Sequence, residues 1–89
     1  MMTIFERIVI IMSHFISRTD KTALHELSFK HGARVKFGYV DRAGKATDVD
    51  TEVDSTTVLP DSILTNSEKN GGYKRYLFSS ITTDVEVDD

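Results

Sequence analysis

Between Ala33 and Asp54 the chain alternates apolar and polar residues in two runs, and together they define a β-hairpin and its register. Val35, Phe37 and Tyr39 alternate with Arg34, Lys36 and Gly38. Thr47, Val49, Thr51 and Val53 alternate with Asp48, Asp50, Glu52 and Asp54. A period of two is the signature of a half-buried strand. Between the runs lies Asp41-Arg42-Ala43-Gly44-Lys45. A four-residue loop pairing Asp41 with Ala46 would set Phe37 against Asp50, apolar against acid. A three-residue loop, Arg42-Ala43-Gly44, instead sets Phe37 opposite Val49, Val35 opposite Thr51, Lys36 opposite Asp50 and Arg34 opposite Glu52. It also puts Gly44 at the left-handed position of a type I turn closed by a G1 bulge, where glycine is favoured. One face becomes apolar and the other a ladder of opposite charges, each cross-strand pair contributing roughly 0.2–1 kcal/mol.

The same reading extends in both directions. Over residues 3–17 the apolar positions 4, 5, 8, 9, 11, 12, 15 and 16 fit a 3.6-residue period and predict a helix. The β-branched run Ile8, Val9, Ile10 and Ile11 also suits a strand, so that alternative stays open. Thr19-Asp20 is a capping signal for a short helix over Lys21 to Phe29, with Ala23, Leu24, Leu27 and Phe29 as its inward candidates. Lys30-His31-Gly32 closes it. Thr56, Val58 and Leu59 continue the apolar pattern until Pro60, which confines that stretch to an edge or a strand end. Asp61 to Gly72 is polar, with Ile63 and Leu64 as its only apolar anchors and Asn70-Gly71-Gly72 as a turn or loop. Tyr73 to Ile81 reads as one strand, with Tyr76 and Phe78 on one face and Leu77 on the other. Thr82 to Asp89 reads as a last strand with Val85 and Val87 inward and Asp84, Glu86 and Asp88 outward.

Eighty-nine residues without a repeat or linker make a single domain, 1–89. It divides into an apolar N-terminal extension or helix (1–18), a short helix (20–31) and a β region (33–88). A domain of this size buries only about 60% of its extended surface, so the apolar N-terminal segment is a natural place for a homo-oligomer contact. There is no cysteine, which excludes disulfides, thiolate metal sites and a cysteine nucleophile and fits a reducing, cytoplasmic setting. The apolar core Ile8–Met12 follows Glu6 and Arg7 and is too short for a membrane span or a secretory signal. Met1, Met2 and Met12 are all candidate starts. The net charge of −3 conceals a split: residues 1–45 carry +4 and residues 46–89 carry −7.

Val35, Phe37, Tyr39 and Gly44, then Pro60, then Tyr76, Phe78 and Ile81, then Val85 and Val87 resemble the core pattern of WYL-type domains over residues 23–88. The Trp-Tyr-Leu strand itself is missing, there is no tryptophan, and Leu77 and Ser80 stand where polar or basic groups are usual. The chain is therefore more similar to the short, phage-associated WYL-like proteins. The resemblance implies a small SH3/Sm-like β-barrel, and with the helices read from the pattern the expected fold is α+β, N-terminal helical segments followed by that mainly antiparallel barrel. The resemblance implies no ligand site, and a host-cell cytoplasmic location if the protein is phage-encoded.

Two surfaces stand out chemically. Lys69, Tyr73, Lys74, Arg75 and Tyr76 interleave cations with aromatics, as a single-stranded nucleic-acid platform does, and Lys30, Arg34 and Lys36 form a second basic run. The competing structural role is core for the tyrosines and solvated surface for the cations. The second surface is acidic: Asp48, Asp50, Glu52 and Asp54 on one strand and Asp84, Glu86 and Asp88 on another suit a basic partner or mimic nucleic-acid phosphates. Here the competing role is a solvated face partly neutralised by Arg34 and Lys36. The Asp48–Asp54 spacing is not a calcium loop, since Val53 and Leu59 occupy the positions that need glycine and glutamate. His14, His25 and His31 lack metal-ligand spacing. No acid–base pair, nucleophile–histidine arrangement or phosphate-cradling glycine loop is present. The sequence thus points to a non-enzymatic accessory or regulatory protein without a cofactor, binding RNA or single-stranded nucleic acid. The alternative is an inhibitor or adaptor docking a basic host protein.

Overall fold

A computed structural model describes residues 13–67 and 72–88. Among these residues six strands form one sheet: β1 (Ser13–Ile16), β2 (Arg34–Val40), β3 (Ala46–Val53), β4 (Ser62–Ser67), β5 (Gly72–Leu77) and β6 (Val85–Asp88). The one α-helix among the described residues, α1 (Lys21–Leu27), joins β1 to β2, and a 3-10 turn (Phe78–Ser80) follows β5. All pairings are antiparallel, in the order β1-β6-β2-β3-β4-β5.

The hairpin β2–β3 has the register expected from its alternation. Phe37 pairs with Val49, Val35 with Thr51, Lys36 with Asp50 and Arg34 with Glu52. Gly44 closes the loop at φ 81°, its N–H donating to the Asp41 carbonyl at 2.9 Å, while the Asp41 N–H donates to the Lys45 carbonyl at 3.0 Å. Asp20 caps α1 by accepting from the Ala23 N–H at 3.1 Å. Leu24 and Leu27 bury the helix's apolar stripe, whereas Phe29 lies beyond its end, exposed and edge-on to His25.

The expected N-terminal helix and closed barrel are both corrected. Ser13–Ile16, the described part of the 3–17 segment, is a strand paired with β6, Ser13 opposite Asp88 and Ile16 opposite Val85. The free edge of β6 offers hydrogen bonds and a place for Ile16 against the core, and that tertiary pairing outweighs helical periodicity. Residues 1–12 lie outside the described part of the chain. By occupying that edge, β1 also takes the position a closing strand would need. Closure requires the two outermost strands to pair, and among the described residues nothing pairs β5 with β1, so the sheet is open. It is nonetheless curled: the Leu77 N–H donates to the Tyr39 hydroxyl at 3.2 Å, and Tyr39 bridges to Ile81.

One element is new and one expectation changes. The polar stretch from Asp61, to which the alternation assigned no strand, holds β4: Ser62–Ser67 pairs with β5, Ile63 opposite Tyr76. The strand expected over Tyr73–Ile81 stops at Leu77 and turns, yet Phe78 and Ile81 remain buried. The core gathers Leu24, Leu27, Val35, Phe37, Ile63, Tyr76, Val85 and Val87 around Tyr39 and Val53. Among the described residues no helix is long and apolar enough to cross a membrane.

Candidate functional site: an acid-rich cleft on the outer face

The outer face of the sheet is set by β2, which lies between β6 and β3. Its outward positions are Arg34, Lys36 and Gly38. Arg34 lies opposite Asp88 of β6 and Glu52 of β3, and Lys36 lies opposite Glu86 and Asp50. The two acidic strands are therefore not neighbours, and a basic strand runs between them. Arg34 passes over its direct partner and pairs diagonally, Nε to the Asp50 carboxylate at 2.7 Å. Both groups are half exposed, so the pair contributes about 0–1 kcal/mol.

Beyond Lys36 the face hollows into a cleft of about 480 Å³. Its floor is the backbone of Gly38, and the reason for glycine is local. Between the Lys36–Glu86 pair and the Tyr39–Ile81 bridge, residues 82–84 run alongside β2. The Gly38 N–H donates to Thr83 Oγ1 at 2.8 Å, and its carbonyl accepts from the Thr82 N–H at 2.9 Å. A Cβ on Gly38 would sit 2.7 Å from Thr82 Oγ1 and 3.0 Å from Thr83 Cγ2, closer than the chain allows. Asp84 and Glu86 line the cleft from this side, and Asp48 and Asp50 line it from β3. The Arg18 N–H reaches the Asp84 carboxylate at 3.4 Å. Phe15 stands at the rim, 68% exposed. Four carboxylates thus line the cleft with a single ammonium, Lys36, which makes no ion pair within 4.0 Å among the described residues, and one of the four, Asp50, is held by Arg34. The charge of this face around Lys36 is therefore net negative.

The residues of the basic surface do not come together. Tyr76 is 2% exposed, and its ring packs edge-on to Phe37 and Tyr39 at 5.5 and 4.9 Å. Burial, then the neighbouring Tyr39, raises its pKa, so its hydroxyl stays protonated. Tyr73 is 67% exposed. Lys74 Nζ lies 5.3 Å from the Tyr76 ring centre, and Arg75 pairs with Asp61 at 3.4 Å. These groups occupy the β5 edge, with β3 and β4 between them and Arg34 and Lys36. Lys30 is half-buried at the end of α1, and Lys69 lies outside the described residues.

The acidic residues divide as well. Asp48, Asp50, Asp84 and Glu86 line the cleft. Glu52 and Asp88 flank Arg34. Asp54 turns inward at the end of β3 and accepts from the Thr56 N–H at 2.9 Å, with His31 Nδ1 3.9 Å away. The Thr56 N–H and hydroxyl, and to a lesser extent His31, hold its pKa below the ordinary aspartate value against the opposing effect of burial. The sequence reading missed Phe15, assigned to a helix, and Thr83. A usable signal existed for Gly38, since glycine inside a strand often marks a close backbone approach. Among the described residues, no three His, Asp or Glu side chains converge as a metal site requires.

Fold and cleft together define a small β protein built on an open antiparallel sheet with one acid-rich hollow. No family model, no curated protein and no solved structure matches the chain. The residues that carry the WYL-like resemblance are mostly core positions here, with Gly44 in a turn and Pro60 in a loop.

Proposed function

We propose that the protein is a non-enzymatic docking module whose outer face receives a basic segment of a partner protein. The observation that carries this reading is the cleft itself: Asp48, Asp50, Asp84 and Glu86 around Lys36, with exposed Phe15 at the mouth. An arginine or lysine entering from the Phe15 side meets an aromatic face and then the Asp84 and Glu86 carboxylates, so cation–π and charge–charge attraction act together. The rival reading, a nucleic-acid surface, loses Tyr76 to the core and Arg34 to the Asp50 carboxylate.

The test is fluorescence anisotropy with a labelled Arg/Lys-rich peptide and, separately, labelled single-stranded RNA, at about 50 and 200 mM salt. Peptide binding that weakens with salt and falls about tenfold in D84N/E86Q supports the docking module. RNA binding without peptide binding transfers the function to the β5 edge.

A further inference from the structure

A second hollow lies where the curled sheet brings the end of β2 against the end of β5. Its volume is about 380 Å³, within the range of small-ligand sites. It is lined by Tyr39, Asp41, Arg42, Arg75, Leu77 and Ser80, with Val40 between the first two. The character is opposite to that of the acidic cleft. Two arginines line it from separate elements, Arg42 from the β2–β3 loop and Arg75 from β5. Arg42 makes no ion pair within 4.0 Å among the described residues. Arg75 has only the exposed Asp61, at 3.4 Å, a long contact for such a pair.

The hydroxyls complete the set. Tyr39 accepts the Leu77 N–H, which leaves its own proton uncommitted among the described residues. Ser80 adds a second hydroxyl from the 3-10 turn. The one carboxylate in the lining, Asp41, is turned into its own loop, where Oδ1 accepts from both the Ala43 and Lys45 N–H groups at 2.9 Å. Planar guanidinium forks beside hydroxyl donors match the tetrahedral oxygens of a phosphate.

We infer that this recess binds a phosphate group, with Arg42 and Arg75 as its charged ligands. The site is independent of the acidic cleft and stands or falls separately. The phosphate can come from a mononucleotide or from the backbone of a single strand, and the test separates these sources.

The full chain, labelled with 15N, is titrated with inorganic phosphate, uridine, uridine 5′-monophosphate and an eight-residue oligouridylate. The site predicts amide shifts at Arg42, Arg75 and Ser80 with the phosphate-bearing probes and not with uridine. Affinity falls about tenfold in R42Q and in R75Q, as expected for loss of a charge-assisted hydrogen bond. Both substitutions are on exposed side chains, and the unchanged amide spectrum elsewhere verifies the fold. D61N, which removes the carboxylate competing for Arg75, tightens binding. Oligouridylate binding without monophosphate binding assigns the phosphate to a polynucleotide, and binding of both assigns it to a single phosphate. Equal shifts with uridine, no shift with any probe, or affinity unchanged in R42Q and R75Q would overturn the site.

Discussion

Hairpin β2–β3 buries Val35, Phe37, Val49 and Val53 and turns Arg34, Lys36, Asp48 and Asp50 outward, whereas hairpin β4–β5 buries Ser62 and Thr65 beside Ile63 and Tyr76. Both are antiparallel and both contribute to one core. They differ in how buried polar atoms are satisfied. In β4–β5, Thr65 Oγ1 donates to the Lys74 carbonyl at 3.0 Å and Ser62 Oγ to Asp61 Oδ1 at 3.2 Å. In β2–β3, Thr51 Oγ1 is buried without a hydrogen-bond partner among the described residues. A polar strand can therefore be as internal as an apolar one, provided its hydroxyls find acceptors.

The largest effect that sharpens this contrast comes from the neighbouring tyrosines of β5. Tyr76→Ala removes a ring packed on Phe37 and Tyr39 and costs about 3–5 kcal/mol, a large share of the stability of so small a domain. Tyr73→Ala, on an exposed side chain, stays within about 0.5 kcal/mol. Chemical denaturation measures both, and equal losses would break the assignment of faces in β5.

A smaller pair of changes should differ in sign. Thr51→Val removes a buried hydroxyl that has no partner and raises stability by up to about 1 kcal/mol, while Thr65→Val breaks a bond and leaves the Lys74 carbonyl short of a donor, lowering it by about 1–3 kcal/mol. Shifts of the same sign in the denaturation midpoints would mean that the two hairpins do not differ in polar satisfaction.

The smallest test concerns the joint between the hairpins, where the Asp54 N–H donates to the Leu64 carbonyl. The Asp54 carboxyl has a lowered pKa in the folded chain. Its contribution is therefore complete above the ordinary aspartate range and is lost as the pH falls through that range to the lowered value. Asp54→Asn should lose stability near neutrality, and its deficit against the wild type should shrink on acidification. A deficit constant from pH 6 down to about pH 2 would show that the carboxylate gains nothing from the Thr56 contacts.

The chain's own order settled the β2–β3 register, the Gly44 turn and the Asp20 cap, because each follows from contacts within a few residues or across one tight loop. Alternation placed Val85 and Val87 inside for the same reason. The β1 strand, the β4 strand and the open sheet depended on partners far away in the chain. Ser13–Ile16 is extended because β6 has an edge to fill, and SILTNS is a strand because β5 pairs with it along its length and accepts the Thr65 hydroxyl. The candidate sites divide in the same way. Their carboxylates and arginines can be read one by one from the sequence, but the strand order decides their company. It sets Lys36 among acids, buries Tyr76, and brings Arg42 to Arg75. The physical reason is that local propensity and periodicity act over a turn or a hairpin, whereas burial and the field at a surface are sums over strands distant in sequence.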